Sequence, residues 1–427
     1  MIATAIVLLL ALLAFGLPVA AVLAALGVAL SDIYSPLPLT RAIGEIAWTS
    51  SNGFLLFSIP LFVMLGEILL RSGMADRMYG AMVQWLSWLP GGLMHSNIGA
   101  CAFFAATCGS SAATAATIGT VALPQAGKHH YNERLFLGSL ASGGTLGILI
   151  PPSINMIVYG ILTDTSIPKL YLAGILPGVV LAGLFMLTIY VVCRLRPQWG
   201  GTPVVTSWPG RWRSLGDLAP PLVIFGVIIG SIYSGMATAT ESAALGVIGA
   251  LSLAGLQRKL TVPVMLAVFE GTMRTTAMIM LILVAAFFLN FVMAGIGLTA
   301  LLNRYITELN LPPYALLLAV VIFYAILGCF METLSMMVTT IPVVTPVMVA
   351  AGFDPVWFGI VVIILIELAL ITPPVGLNLY VIQGIRPSGA VYDVIVGALP
   401  FVVATFAMIA VLALVPALAL FLPAISY

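Results

Sequence analysis

Long apolar runs, broken at a few places by proline, glycine and small polar residues, fill the chain from end to end. A run of about 20 apolar residues crosses about 30 Å of hydrocarbon. The pattern predicts membrane helices over about 1–30, 51–71, 169–194, 218–236, 238–256, 275–295 and 391–422. Other stretches alternate with a helical period. Over 76–89, Met78, Ala81, Met82, Trp85 and Leu89 share one face, and Arg77, Gly80, Gln84 and Ser87 the other. Such a helix, with Trp at its edge, is expected along a membrane surface. In 298–309 the theme recurs, with Leu298, Leu301, Leu302, Tyr305 and Leu309 opposite Asn303, Thr307 and Glu308. An amphipathic stretch is also expected over 260–273.

Two apolar runs cannot be straight helices. Gly143–Asn155 reads GGTLGILIPPSIN, and Leu368–Asn378 reads LALITPPVGLN. Proline lacks the backbone N–H and clashes with the turn before it. Carbonyls of that turn lose their partners, and in a bilayer they persist only facing protein, water or an ion. Broken helices are therefore expected at about 132–163 and 354–384. Residues 92–127 are mostly small, with CGSSAAT (Cys108–Thr114) in the middle. As one helix they would measure about 54 Å, so a re-entrant hairpin with its tip at Gly109–Ser111 fits better. A second hairpin is expected over about 313–350, with ETLS (Glu332–Ser335) near its tip.

The two halves repeat. At the offset of 222 residues that separates Pro151 from Pro373, Gly73 meets Gly295 and Leu89-Pro90 meets Leu311-Pro312. Thr117 meets Thr339, Pro124 meets Pro346, and Pro151-Pro152 meets Pro373-Pro374. One residue later in register, Asn155 meets Asn378, and Gly174 and Leu176-Pro177 meet Gly397 and Leu399-Pro400. The expected organisation is a first repeat over 1–196 and a linker over 197–217. An extra helix and the second repeat then occupy 218–427. An odd helix between repeats inverts the second. With the N-terminus on one side, that side receives Arg71, Arg77, Lys128, Arg134, Arg194, Arg196, Arg211, Arg213, Arg258, Lys259, Arg274 and Arg386. The other receives only Arg41, Lys169 and Arg304. The excess names the first side, and the N-terminus, as cytoplasmic, and the C-terminus as external.

Composition agrees with this class. Of 427 residues 62% are hydrophobic and 7% charged, and mean hydropathy is +1.20. Soluble domains carry about 25% charged residues. The class is an all-α polytopic membrane protein. A net charge of +1 leaves no footprint for nucleic acid. The N-terminal run lacks the basic start of a signal peptide and outlasts its apolar core. Cys101, Cys108, Cys193 and Cys329 stand singly, without metal spacing, and are expected as buried free thiols. No histidine joins a catalytic set.

Inverted repeats with discontinuous helices mark a secondary transporter. Half-helix N-termini suit a carboxylate. Unwound carbonyls and hydroxyls suit Na⁺. The candidates form two symmetric sets. The first joins Ser110, Ser111 and Thr114 to Thr145, Gly147, Ile150 and Pro152. The second joins Glu332, Thr333 and Ser335 to Thr372, Pro374 and Gly376. Asn155 and Asn378 close either a cation site or the substrate site. Each lone Ser or Thr has the simpler reading of a back-bond within its helix. Glu241, Glu332 and Glu367 differ, because a charge at mid-bilayer costs at least about 2.5–3.5 kcal/mol. Glu332, at a tip, is the strongest. Glu241 reads equally well as a helix cap.

CGSSAATAATIGT, GTLGILIPPSINMIVYG, ETLSMMVTTIPVVTP and ITPPVGLNLYVI together resemble the large membrane subunit of tripartite ATP-independent periplasmic (TRAP) transporters, over essentially the whole chain. The resemblance implies an elevator fold of the ion-transporter-superfamily type in the bacterial inner membrane, with sodium coupling. It also implies a small four-helix membrane subunit and a periplasmic substrate-binding protein delivering an organic acid. It places Cys108, Ser110, Gly147, Ile150 and Pro152 at a first Na⁺ site. Cys108 stands where serine is often found, and Glu332 where aspartate is. On this reading Glu332, Thr333, Thr372, Pro374 and Gly376 hold a second Na⁺. Ser111, Thr114, Thr145, Asn155, Ser335 and Asn378 line the substrate. A channel would need a continuous polar pore, whereas the polar residues cluster at two tips. An intramembrane enzyme lacks its motifs, such as H-E-x-x-H. ATP-driven transport lacks the G-x-x-x-x-G-K-[ST] loop.

Overall fold

The computed structural model describes every residue except 205, 299, 302–303, 305–310, 330 and 427, and the side chain of Ala14. Most of the amphipathic stretch at 298–309 lies outside the described residues. The first half contains α1 (Ile2–Ala14), α2 (Val19–Tyr34), α3 (Ile43–Ser51), α4 (Ser58–Arg71) and α5 (Met74–Leu86). It continues with α6 (Leu93–Cys108), α7 (Ser111–Lys128), α8 (Glu133–Leu149), α9 (Ile154–Thr163) and α10 (Ile167–Leu195). The second half has α11 (Trp208–Tyr233), α12 (Ala239–Leu256), α13 (Val262–Gly295), α14 (Pro313–Leu327) and α15 (Thr333–Ala350). It ends with α16 (Pro355–Ile371), α17 (Leu377–Ile385), α18 (Val391–Leu414) and α19 (Ala417–Ser426). Among the described residues seven stretches are long and apolar enough to cross a membrane, and the α8–α9 pair, bent by 43°, makes an eighth if it is taken as one span.

Both hairpins form. Gly109, at φ +62°, turns the chain between α6 and α7, a conformation glycine adopts without strain. The Leu93 N–H donates to the Tyr131 hydroxyl at 2.9 Å, so the hairpin's two ends meet. In the second hairpin the Tyr314 and Phe353 rings lie 6.3 Å apart at the base. The 24-residue α18, about 36 Å long, shows how the hairpins are disposed. Near its start Asp393 accepts from Arg134 at 2.9 Å, beside the first base. Near its end Leu412 accepts from the Trp357 indole at 3.1 Å, beside the second base. The hairpins enter from opposite ends of the bundle and their tips line one interior cavity.

The helices that break after Leu149 and Ile371 form the centre. Residues Leu135–Leu149 and Val356–Ile371 are buried without exception. Glycine lets α8 be buried all round, because Gly138 meets the Gly397 carbonyl of α18 and Gly397 meets the Arg134 carbonyl. A Cβ at either would overlap backbone. The Tyr79 hydroxyl donates to Asn97, and the Asn97 amide donates to Ser139 at 2.9 Å, tying α5, α6 and α8 through buried polar groups.

Several boundaries differ from those expected. The N-terminal run is not one helix over 1–30. It turns at Gly16 (φ +69°) and Pro18, and folds back so that Thr4 and Tyr34 hydroxyls lie 2.6 Å apart. Residues 1–34 therefore begin and end near one end of the bundle, that of Leu39, which packs on Gly295. Arg71 lies toward the other end, because Glu67 packs on Gly271 of the same helix. The separate pieces expected over 260–273 and 275–295 are one continuous helix, α13. The linker yields ten residues to α11, which begins at Trp208 with Ser207 capping it. The last apolar run divides at Val415–Pro416. Met78, Ala81 and Met82 do share a face of α5, but that face is buried within the protein rather than turned to a surface. Cys329 is only half-buried, unlike the other three thiols.

Candidate functional site

The first tip is built on the first break. A Cβ at Gly147 would lie 2.7 Å from the Ser110 carbonyl oxygen and 2.9 Å from the Ser111 Cα. A Cβ at Gly109 would lie 2.8 Å from the Pro152 oxygen. The Ser111 hydroxyl donates to the Thr145 carbonyl at 3.1 Å. Pro151 and Pro152, joined by a cis bond, have no N–H to give. Among the described residues no backbone N–H donates to the carbonyls of Gly147 through Pro152. Such oxygens suit a hard cation. Thr114 and Thr145 make the simpler choice, donating to the Ser110 and Ser142 carbonyls at 2.7 and 2.8 Å. The Ile150 side chain packs on Gly178, leaving only its backbone to the site.

The second tip is arranged differently. Glu332 caps α15: its oxygens accept from the Thr333 hydroxyl (2.9 Å), Leu334 N–H (3.0 Å), Ser335 N–H (3.2 Å) and Ser335 hydroxyl (2.8 Å). A carboxylate offers about four lone-pair directions, and all are used. At the second break the Thr372 hydroxyl donates to Leu368 at 2.6 Å, and the Pro374 carbonyl accepts from Tyr380 at 3.0 Å. Pro374 is exposed. The residue pattern repeats between halves, but the packing of the breaks does not. The structure brings Glu332, Thr333 and Ser335 to the same cavity as the first tip, and leaves Thr114, Thr145, Gly147, Ile150 and Pro152, like Thr372, Pro374 and Gly376, off its lining.

That lining encloses a cavity of about 600 Å³ between the two tips. Cys108, Ser110, Ser111, Asn155, Glu332, Thr333 and Ser335 face it, opposite a wall from α2, α4 and α13. Asn155 is 4% exposed and its amide nitrogen has no partner. A buried donor without an acceptor costs about 1–3 kcal/mol, which a bound acceptor would recover. Asn378 is not on the lining; it is fully buried and donates to the Ala141 carbonyl at 3.0 Å. The lining holds two carboxylates, Glu67 and Glu332, and no lysine, arginine or histidine among the described residues.

Glu67 is the lining residue that sequence reasoning missed. Its spacing from Arg71 reads as a solvated helix end, and the two do pair at 3.0 Å. The signal was a carboxylate one turn inside an apolar run. Glu241 is a cap: it forms a capping box with Thr238, accepting from its N–H and hydroxyl at 2.8 Å. Glu367 is buried in α16 with its carboxyl beside the Leu149 backbone.

Broken helices and facing hairpins around a cavity with polar tips and an apolar wall define a multi-pass membrane transporter. The chain belongs to the DctM component family of tripartite ATP-independent periplasmic transporters, whose model matches residues 6–418. It is 30% identical to the C4-dicarboxylate TRAP transporter large permease DctM of Vibrio cholerae serotype O1, over 97% of each chain. The sialic acid TRAP transporter large permease SiaM of the same organism is 30% identical over 87% of each chain. The isethionate TRAP transporter permease DctMQ of Oleidesulfovibrio alaskensis is 29% identical, covering 96% of this chain and 64% of the relative. These relatives are permeases, not enzymes. In fold the chain resembles the YdaH transporter of Alcanivorax borkumensis, with a TM-score of 0.68, 15% identity, and coverage of 97% of this chain and 98% of that one.

Proposed function

We propose that the chain is the transport subunit of a sodium-coupled importer that moves an organic acid across the bacterial inner membrane by an elevator motion. One observation carries this reading: the cavity between the tips presents carboxylates and an unpartnered amide, but no basic side chain among the described residues. An anion about 8 Å from a carboxylate, at an effective dielectric of about 20, is opposed by about 2 kcal/mol. An organic anion enters such a cavity together with cations. The first tip and break fit Na⁺, through the free carbonyls at Gly147–Pro152, the Cys108 carbonyl and the Ser110 hydroxyl. The second tip offers the charge of Glu332 and the oxygens of Thr333 and Ser335. Sodium at the tips supplies positive charge there. Asn155 then donates to the substrate carboxylate, with Ser111 and Ser335 beside it.

The repeat and the opposed hairpins support an inverted duplication. Each tip packs within one body, against a wall of α2, α4 and α13, which is the division an elevator needs. The relatives' substrates, a C4-dicarboxylate, sialic acid and isethionate, are small acids. The family points to a periplasmic binding protein and a small membrane subunit as partners, and the DctMQ name to a large and a small subunit in one chain. Ser110→Ala is expected to raise the sodium concentration for half-maximal uptake about fivefold, the worth of one neutral ligand, with assembly intact. Thr333→Ala is expected to shift it in the same direction. Omitting the small subunit or the binding protein is expected to abolish concentrative uptake. Unchanged sodium dependence in both variants would contradict the assignment.

Orientation follows from the charge excess, with one revision. The N-terminal fold-back, with residue 1 at the end opposite Arg71, supports an external rather than a cytoplasmic N-terminus. In intact spheroplasts an impermeant thiol reagent is expected to label Ala3→Cys and Gly352→Cys but not His130→Cys. Labelling of His130→Cys and not Gly352→Cys would reverse the orientation.

A further inference from the structure

We propose that Glu67, on the wall, is the charged partner of the cation at the first tip, and that Arg71 competes with that cation. The inference rests on the sodium-coupled reading above and adds a residue and a coupling device to it. The oxygens assembled at the first tip and break are all neutral: carbonyls and a serine hydroxyl. A cation among neutral ligands keeps much of its desolvation cost, and a nearby carboxylate offsets it.

The wall brings one there. Gly66 packs on the tip so closely that a Cβ would lie 3.0 Å from the Cys108 carbonyl oxygen and 3.3 Å from its sulfur. The next residue, Glu67, lines the same cavity as Cys108–Ala113. Its carboxylate has a seat on α13. A Cβ at Gly271 would lie 2.6 Å from the Glu67 Cδ and 2.7 Å from both oxygens, so the carboxylate packs where a side chain there would displace it. Beside this seat the Thr272 hydroxyl is buried without a partner. Asn155, the buried amide aimed into the same cavity, likewise awaits a ligand. Arg71 holds Glu67 by a single bond, from Nε to Oε2 at 3.0 Å. Among the described residues Oε1 accepts no hydrogen bond, so one oxygen is held and the other is open to a ligand.

Glu67 belongs to the wall, and Cys108 to the body that carries the tips. The carboxylate sits beside the first-tip cation only while the tip lies against Gly66. When the body moves, the cation loses that charge and its affinity falls. Sodium binding thus depends on position, which favours capture in one arrangement and release in the other. Arg71 keeps Glu67 neutralised when no cation is bound.

The test is the sodium dependence of thermal unfolding of the complete purified transporter, with choline replacing sodium at constant ionic strength. A ligand that binds only the folded protein raises the unfolding midpoint as its concentration passes its Kd. Glu67→Gln is expected to raise the half-saturating sodium concentration at least about fivefold, and Arg71→Gln to lower it about threefold. Glu67→Asp, which keeps the charge, is expected to fall between wild type and Glu67→Gln, and it serves if the amide variant does not fold. Opposite shifts in the two charge variants would support the inference. A merely structural ion pair would lower the midpoint of both variants and leave both half-saturation points at the wild-type value, which would overturn it. A wild-type protein with no sodium response would overturn the sodium reading itself, and this inference with it.

Discussion

Gly147→Val is expected to abolish uptake, to below about one per cent of wild type, while the protein still inserts and assembles. The first Cβ atom would already stand 2.7 Å from the Ser110 carbonyl oxygen and 2.8 Å from its carbon. Both neighbours are backbone of the tip and have no rotamer to escape into. Overpacking a tight interior costs about 1–3 kcal/mol, and here it is relieved by pushing the tip off the break. That displaces the Ser110 and Cys108 oxygens from the free carbonyls, so the proposed cation site and the cavity between the tips are expected to be lost together. Helix propensity works in the opposite direction, since Gly in a helix interior is about 1 kcal/mol worse than Ala. Gly183→Val is the matched control. Gly183 lies in α10 with nothing within 4 Å of a Cβ, and uptake is expected to stay within about twofold of wild type. Uptake measured for both variants at saturating sodium checks the pair.

Asn155→Asp is expected to have the next largest effect. The change is nearly isosteric, but it replaces the unpartnered buried donor with a third carboxylate in a cavity lined by no basic side chain among the described residues. A charge-assisted hydrogen bond is worth about 1.5–3 kcal/mol, and the added repulsion is of similar size. Their sum corresponds to at least a hundredfold loss of transport efficiency. Asn155→Leu loses only the donor and is expected to fall about tenfold or more. Substrate concentration series on both variants at fixed sodium separate the two effects. Equal losses in the two variants would show that the residue serves packing alone.

Much of this arrangement is legible in the residues, because proline and glycine act through local backbone chemistry. Pro151-Pro152 and Pro373-Pro374 mark both breaks, and the small residues around Gly109 mark a tip that must lie against other backbone. Other features depend on direction, which hydropathy does not carry. The N-terminal apolar run reads the same whether it continues or turns back, although Gly16 and Pro18 were there to show the turn. Thr272, Arg274 and Thr275 give residues 260–295 the look of two pieces, yet α13 continues, with the Thr272 side chain buried against its neighbours. The 222-residue repeat suggested equal sites, but Thr372 and Pro374 find partners within their own segment, whereas the first break is enclosed and its carbonyls stay free. Glu67 escaped notice for a similar reason. A carboxylate with an arginine one turn away looks solvated in sequence, and only the packing of Gly66 and Gly271 places it on the cavity.

The central claim is that sodium, bound at the tips, drives the organic acid inward. Its most direct test is uptake by the complete transporter in proteoliposomes, with binding protein and substrate outside, under an imposed sodium gradient. Accumulation of the acid above its outside concentration is expected only with an inward gradient of Na⁺, and dissipation when an ionophore collapses that gradient. Equal accumulation with potassium or choline replacing sodium would contradict it.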